Sequence, residues 1–282
     1  MVETTGQFRA LKYYTLSGFF VIGVVTVLLG QVLPILSMRL GLDDAQAGTL
    51  FVAQFLGSAI GTLCASRIWR RYGFVVTTVV GLGMMIIGLP GLNFQNFALC
   101  WIAIFVYGSG LGMTIPAINL LTIEMTPESS RTSAVNLINF AWGVGAICSQ
   151  PFVAVVSPPD SIVSVTIILD ATLLLLLFCY LLLMKRIPAS KDDSSVRTRL
   201  SIWRRPSSWL FLAFGFFVIG IESGMGGWLT TYSRSLTGRD QAINATVLFF
   251  AFMVLGRGLA SIVSRYLSDS VLISVCACTL LT

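Results

Sequence analysis

Polar residues are scarce along this chain, and they fall in short clusters between long apolar runs. A helix that crosses the hydrocarbon core of a bilayer needs about 20 mostly apolar residues. Eight runs reach that length: Tyr14–Ser37, Ala45–Trp69, Phe74–Leu92, Phe97–Leu121, Ser133–Val156, Ile162–Met184, Ser208–Thr231 and Ala245–Tyr266. A ninth starts near Val271 and stops at Thr282 after about a dozen residues, too few to span. The pattern predicts an all-α polytopic membrane protein with eight full spans and part of a ninth. The opening segment MVETTGQFRALKYY runs into the first span without a small-residue cleavage site, so it reads as a retained helix and not as a signal peptide.

Composition excludes the main rival. Of the 282 residues, 56% are hydrophobic and only 11% charged, and mean hydropathy is +0.87. A soluble domain carries about 25% charge, so this chain has too little polar surface for a water-exposed globule. The net charge of +6 would suit nucleic acid or an anionic surface, but its distribution assigns it to topology. With the N-terminus in the cytoplasm, fourteen of the eighteen Lys and Arg lie inside, Arg39, Arg234 and Arg239 lie outside, and Arg257 sits within a span. That bias follows the positive-inside rule. It predicts a multi-pass protein of the bacterial cytoplasmic (inner) membrane, surrounded by lipid bilayer and not bound to nucleic acid. The longest polar stretch, KRIPASKDDSSVRTRLSIWRRPSS, reads as a solvated cytoplasmic linker. It divides the chain into a six-helix bundle at 1–184, a linker at 185–207, and the start of a second bundle at 208–282, with helices 7, 8 and part of 9.

An internal repeat supports that division. Gly18-Phe-Phe-Val-Ile-Gly23 recurs as Gly215-Phe-Phe-Val-Ile-Gly220, an offset of 197. Further along, Gly41 falls on Gly238, Gly57-Ser58 on Gly256-Arg257, and Ser66-Arg67 near Ser264-Arg265. Two parallel repeats related by an axis along the membrane normal are a known transporter plan. The second half has no counterpart for anything after roughly Met84, so the chain reads as C-terminally truncated.

Four segments carry a resemblance to a known family. These are the loop Ser66-Arg-Ile-Trp-Arg-Arg-Tyr-Gly-Phe74, the glycine-rich Gly110-Leu-Gly-Met-Thr-Ile-Pro-Ala-Ile-Asn119, the run Arg131-Thr-Ser-Ala-Val-Asn-Leu-Ile-Asn-Phe-Ala-Trp-Gly-Val-Gly145, and Val218-Ile-Gly-Ile-Glu-Ser-Gly-Met-Gly-Gly-Trp-Leu229. In that order, on top of the repeat, they resemble the major facilitator superfamily and, within it, the fucose-permease-like sugar:proton symporters. The resemblance implies two pseudo-symmetric six-helix bundles, the second incomplete here. It also implies a central cavity lined by spans one, two, four, five, seven and eight. Arg67, Arg70, Arg71 and Gly73 fall on its cytoplasmic gating loop, without the usual aspartate. The acids linked to proton coupling in fucose permeases are replaced here, at Gln31 and Ile115.

Polar groups inside hydrocarbon cost free energy unless paired or facing water, which makes them functional candidates. On span five, at 100° per residue, Asn139, Gly143 and Gln150 fall within about 60° of Asn136, an amide face suited to sugar hydroxyls. Gln31, Gln54, Asn119, Trp142 and Trp228 join them as substrate-binding candidates. Interhelical hydrogen bonding is the alternative role for every amide. Glu222 lies about 14 residues into span seven among glycines, where it can bind substrate or carry a coupling proton. Its alternative is a structural pair with Arg257, the second proton-coupling candidate.

No histidine is present, the six cysteines all lie in apolar runs, and no phosphate-cradling glycine loop occurs. No cofactor, metal or catalytic residue is therefore implied, and an enzyme is disfavoured. The expected function is secondary-active transport of a small polar solute, sugar or sugar-like, by a monomer using alternating access with a coupling proton. The alternative is a non-transporting membrane sensor or a vestigial truncated paralogue of such a carrier.

Overall fold

The computed structural model describes residues 2–157, 161–184, 205–237, 239–263 and 271, with side chains from Tyr13 onward except at scattered positions and at 239–244 and 260–263. Most of the expected linker and the ninth apolar run lie outside the described residues. The long elements are helices: α1 (Val2–Leu40), α2 (Asp44–Gly88), α3 (Phe97–Met125), α4 (Arg131–Val156), α5 (Val163–Met184), α6 (Pro206–Thr237) and α7 (Arg239–Val263). No strand occurs among the described residues. Apolar runs of this length become helices because hydrocarbon offers the backbone no hydrogen-bond partner, and a helix satisfies its own. Six stretches are long and apolar enough to cross a membrane, Asp44–Asn93 counted as one; the apolar part of α7 is shorter, Ala245–Gly256.

Several helix starts are written locally. Asp43 accepts from Gln46 N at 2.7 Å, and the Gln46 side chain accepts from Asp43 N at 3.2 Å, a reciprocal capping box. Asn96 caps α3 by accepting from Leu99 N at 3.1 Å.

α2 holds the second and third predicted spans, joined at a single residue. Gly73 has φ +83° and ψ 169°, a conformation that a Cβ disfavours. The packing on α3 shows that the chain reverses there. Along the first limb, Gln54 meets Gly108 and Ser58 meets Gly112, so residue numbers rise together. Along the second limb, Gly81 meets Gly110 and Thr114 while Gly88 meets Ala103 and Tyr107, so they run opposite. The two limbs are antiparallel, and the 50-residue stretch folds back on itself. The sequence predicts a loop over 66–74, but helix continues through Tyr72. Arg67, Arg70 and Arg71 are therefore helical and exposed, with the Arg71 guanidinium 5.3 Å from the centre of the Tyr72 ring. Only Gly73 forms the turn, because one residue with positive φ suffices to redirect the chain.

The first five helices enclose a dense core that includes Phe19, Leu33, Tyr107 and Tyr180. α1 meets α4 where a Cβ on Gly23 would strike the Trp142 carbonyl and one on Gly145 the Phe20 carbonyl. Ser149 Oγ donates to Val24 O at 3.2 Å across that crossing. α6 is different. It packs on α1 and α7, yet its residues from Trp209 to Ile221 are mostly exposed.

Candidate functional site

α1 and α6 touch at two glycines. A Cβ on Gly30 would lie 2.8 Å from Gly227 Cα. The two residues are 197 apart, the offset of the internal repeat, so each meets its own copy. Beside them Phe51 lies against Gly227 and Phe250 against Gly226, a second matched pair at offset 199. Just beyond, toward the ends Ser37 and Thr237, three helices share buried hydrogen bonds. Thr230 Oγ1 donates to Gln31 Oε1 at 2.8 Å and stands 2.8 Å from Thr246 Oγ1.

On the other side of this crossing is a cavity of about 410 Å³. Its walls come from α1, the first limb of α2, α3, α4, α6 and α7, which are spans one, two, four, five, seven and eight. The polar side chains are Thr26, Gln54, Ser58, Asn139, Trp142, Glu222 and Ser223; Phe19, Phe51, Phe55 and Phe250 supply aromatic wall. Thr26 is the hub of the polar side. Its carbonyl accepts from Gln54 Nε2 at 2.9 Å, and its hydroxyl accepts from Trp142 Nε1 at 3.3 Å. Asn139 Nδ2 donates to Val135 O at 2.8 Å and reaches Asn119 Oδ1 at 3.3 Å. Asn119 in turn donates to Ile115 O at 2.9 Å.

Four of the nine substrate-binding candidates, Gln54, Asn139, Trp142 and Glu222, thus line the cavity, and Asn119 stands behind Asn139. Gln31 is 0% exposed, held in the Thr230 cluster, and Trp228 packs on Phe51 with ring centroids 5.8 Å apart. Asn136 is exposed and outside the cavity. Each three-residue step along α4 rotates by about −60°, which puts Asn136 about 120° from Trp142. Gln150 shares the azimuth of Asn139 within about 20°, but eleven residues lift it about 16 Å along the axis, where it is 1% exposed. Arg257 sits on the α7 backbone, its side chain outside the described residues. Missing from the sequence candidates are Thr26, Ser58, Ser223 and the phenylalanines. A threonine in an apolar span commonly bonds the carbonyl four residues back, as Thr26 does to Ile22 O at 2.6 Å, so it gives no signal of its own. The offset of 197 that joins Thr26 to Ser223 was the available clue.

A helical fold around a polar cavity crossed by a two-fold repeat defines a membrane carrier, and the comparison with known proteins places it. Residues 15–282 match the family model of the Major Facilitator Superfamily, and the chain belongs to that family, which is one of multi-pass membrane transporters and not of enzymes. It is 27% identical over 130 residues to the 4-hydroxybenzoate transporter PcaK of Pseudomonas aeruginosa, covering 46% of this chain and 29% of that protein. It is 26% identical over 138 residues to the L-fucose-proton symporter of Escherichia coli, covering 48% and 32%. The matched segments thus span about a third of those relatives. A solved D-xylose-proton symporter shares the fold at TM-score 0.69 and 15% identity, over 91% of this chain and 69% of that one.

Proposed function

We propose that this protein is a secondary-active carrier of a small polar solute, sugar or sugar-like, that works by alternating access. The observation that carries the reading is the convergence of amide, hydroxyl and indole groups from both repeats on one ring-walled cavity. Amides and hydroxyls match a sugar's hydroxyl edge, and aromatic rings match its apolar face. The solute would be held by Asn139, Trp142 and Glu222, with Asn119 orienting Asn139, while Gln31 and Trp228 belong to the helix crossing above. Similarity to an L-fucose symporter and a D-xylose symporter supports a sugar. Similarity to a 4-hydroxybenzoate transporter supports a hydroxylated aromatic acid as the second reading, since stacked rings serve either solute.

Glu222 is our candidate for the coupling proton, being a carboxyl in the cavity wall with an apolar repeat partner, Val25. We place the N-terminus in the cytoplasm of a bacterium's inner membrane, with bundles at 1–184 and from 208 onward, and a monomer as the working unit. In that orientation the Gly30–Gly227 crossing and the Gln31–Thr230–Thr246 cluster close the outer side. The separated cytoplasmic half of α6 then leaves the cavity approachable from inside.

The test is uptake into proteoliposomes of labelled L-fucose, D-xylose and 4-hydroxybenzoate, with and without an imposed proton gradient. Gradient-stimulated accumulation of a sugar is expected. Accumulation of 4-hydroxybenzoate alone would replace the sugar reading, and no accumulation of any of the three would sink it.

A further inference from the structure

The repeat that joins Gly30 to Gly227 also joins two hydroxyls. One turn before Gly30 stands Thr26, and one turn before Gly227 stands Ser223; both line the cavity. Because the two helices meet at equivalent residues, positions one turn along from the meeting point face the cavity from opposite sides of the pseudo-two-fold axis. The neighbours of this pair repeat the relation, with Phe51 and Phe250 flanking the same crossing. The charged departure is Glu222, whose counterpart Val25 is fully buried.

Thr26 also does more than present a hydroxyl. Its proton goes to Ile22 O at 2.6 Å, which leaves the oxygen an acceptor toward the indole and the cavity. The bond it accepts from Trp142 Nε1 is 3.3 Å, longer than the usual N–H···O distance of about 2.9–3.0 Å. An acceptor on a bound solute therefore competes well for that indole proton, with Thr26 holding the ring in place beforehand.

We propose that Thr26 and Ser223 are a matched pair of solute-binding hydroxyls, one from each repeat, that select a ring bearing hydrogen-bonding groups on opposite edges, and that Thr26 additionally positions Trp142. The proposal rests on the sugar-carrier reading. A pyranose meets the requirement with its hydroxyls at carbons 1 and 4. A site built to bond a hydroxyl discriminates strongly against a ligand lacking it, because its own polar groups are then left unpaired.

The experiment uses the full chain purified in detergent, titrated with D-glucose, D-galactose, D-mannose and D-xylose and read by tryptophan quenching. For the tightest-binding sugar, Thr26→Val and Ser223→Ala are each expected to weaken Kd about tenfold, and the double variant about a hundredfold. Thr26→Ser keeps the acceptor and should stay within about threefold of the parent. Unfolding temperatures should match the parent in all four variants. If Thr26→Val lowers the unfolding temperature but leaves Kd intact, the threonine is structural and the proposal fails. If one variant weakens binding and the other does not, the matched pair fails. Should the parent protein bind none of the four sugars, the sugar reading falls and this proposal with it, whereas sugar binding that both variants leave unchanged overturns this proposal alone.

Discussion

Glycine does opposite work in the two parts of this molecule. Around α3 it is a spacer of zero width: a Cβ on Gly57, Gly61 or Gly112 would strike a backbone carbonyl of the neighbouring helix. Along α6 and α7, nothing among the described residues lies within 4 Å of a Cβ built on Gly215, Gly220, Gly224, Gly256 or Gly258. Gly57 and Gly256 are repeat copies, and so are Gly23 and Gly220, yet in each pair the first is tightly enclosed and the second is open. Small residues let helices approach closely, but composition alone does not say where that approach is used. In the first bundle it has been spent on a fixed, interlocked unit. Among the described residues, close approach along α6 is found at Gly226 and Gly227.

The contrast breaks most sharply at its tight end. Gly112→Val puts two methyl groups and a Cβ into the Ser58 carbonyl, which belongs to a helix and cannot yield. Overpacking of this kind costs about 1–3 kcal/mol or more, and little monodisperse protein should be recovered by size-exclusion chromatography. Next comes charge: Glu222→Gln should remove at least about tenfold of any gradient-stimulated uptake and lower solute exchange without a gradient by much less. Unchanged pH dependence in that variant would end the proton-carrier role. A third, smaller effect is expected at the crossing. Thr230→Val deletes the donor to Gln31 Oε1, and membrane hydrogen bonds average about 0.6 kcal/mol with a maximum near 1.7. A cysteine placed at Val27, in a background free of other cysteines, should then react about threefold to twentyfold faster with an impermeant reagent added outside. Smallest of all is Gly220→Ala, which has space to enter and should shift the unfolding free energy by less than about 0.5 kcal/mol. A larger loss there would mean that α6 is packed as tightly as α3.

Much of the fold was legible because hydrocarbon permits few alternatives. The described parts of the eight apolar runs are helical at nearly their expected places, and the hexamer at Gly18 announces the repeat whose copies meet at Gly30 and Gly227. The turn is shorter than the sequence suggests, because an arginine-rich stretch looks like solvated loop. Arginine is a good helix former, and Gly73 alone reverses the chain. At the site, Glu222, Asn139 and Trp142 stood out because a carboxyl, an amide and an indole are conspicuous in an apolar span. Thr26 and Phe51 did not, since in a greasy helix they are what any lipid-facing or back-bonded position offers. Asn136 lies outside the wall because the cavity face of α4 is centred between Asn139 and Trp142, about 90° around the helix from it.

The Gly30–Gly227 contact has the geometry of a symmetric dimer. A residue that meets its own copy lies on a two-fold axis, and such contacts are isologous. In a symmetric dimer of half-length chains the same position would meet its twin in a second chain. Any side chain larger than hydrogen would then have entered the interface twice for a single substitution. Within one chain, a substitution at Gly30 or Gly227 enters that contact only once. The two glycines thus form, within one polypeptide, a contact of the kind that a symmetric dimer makes.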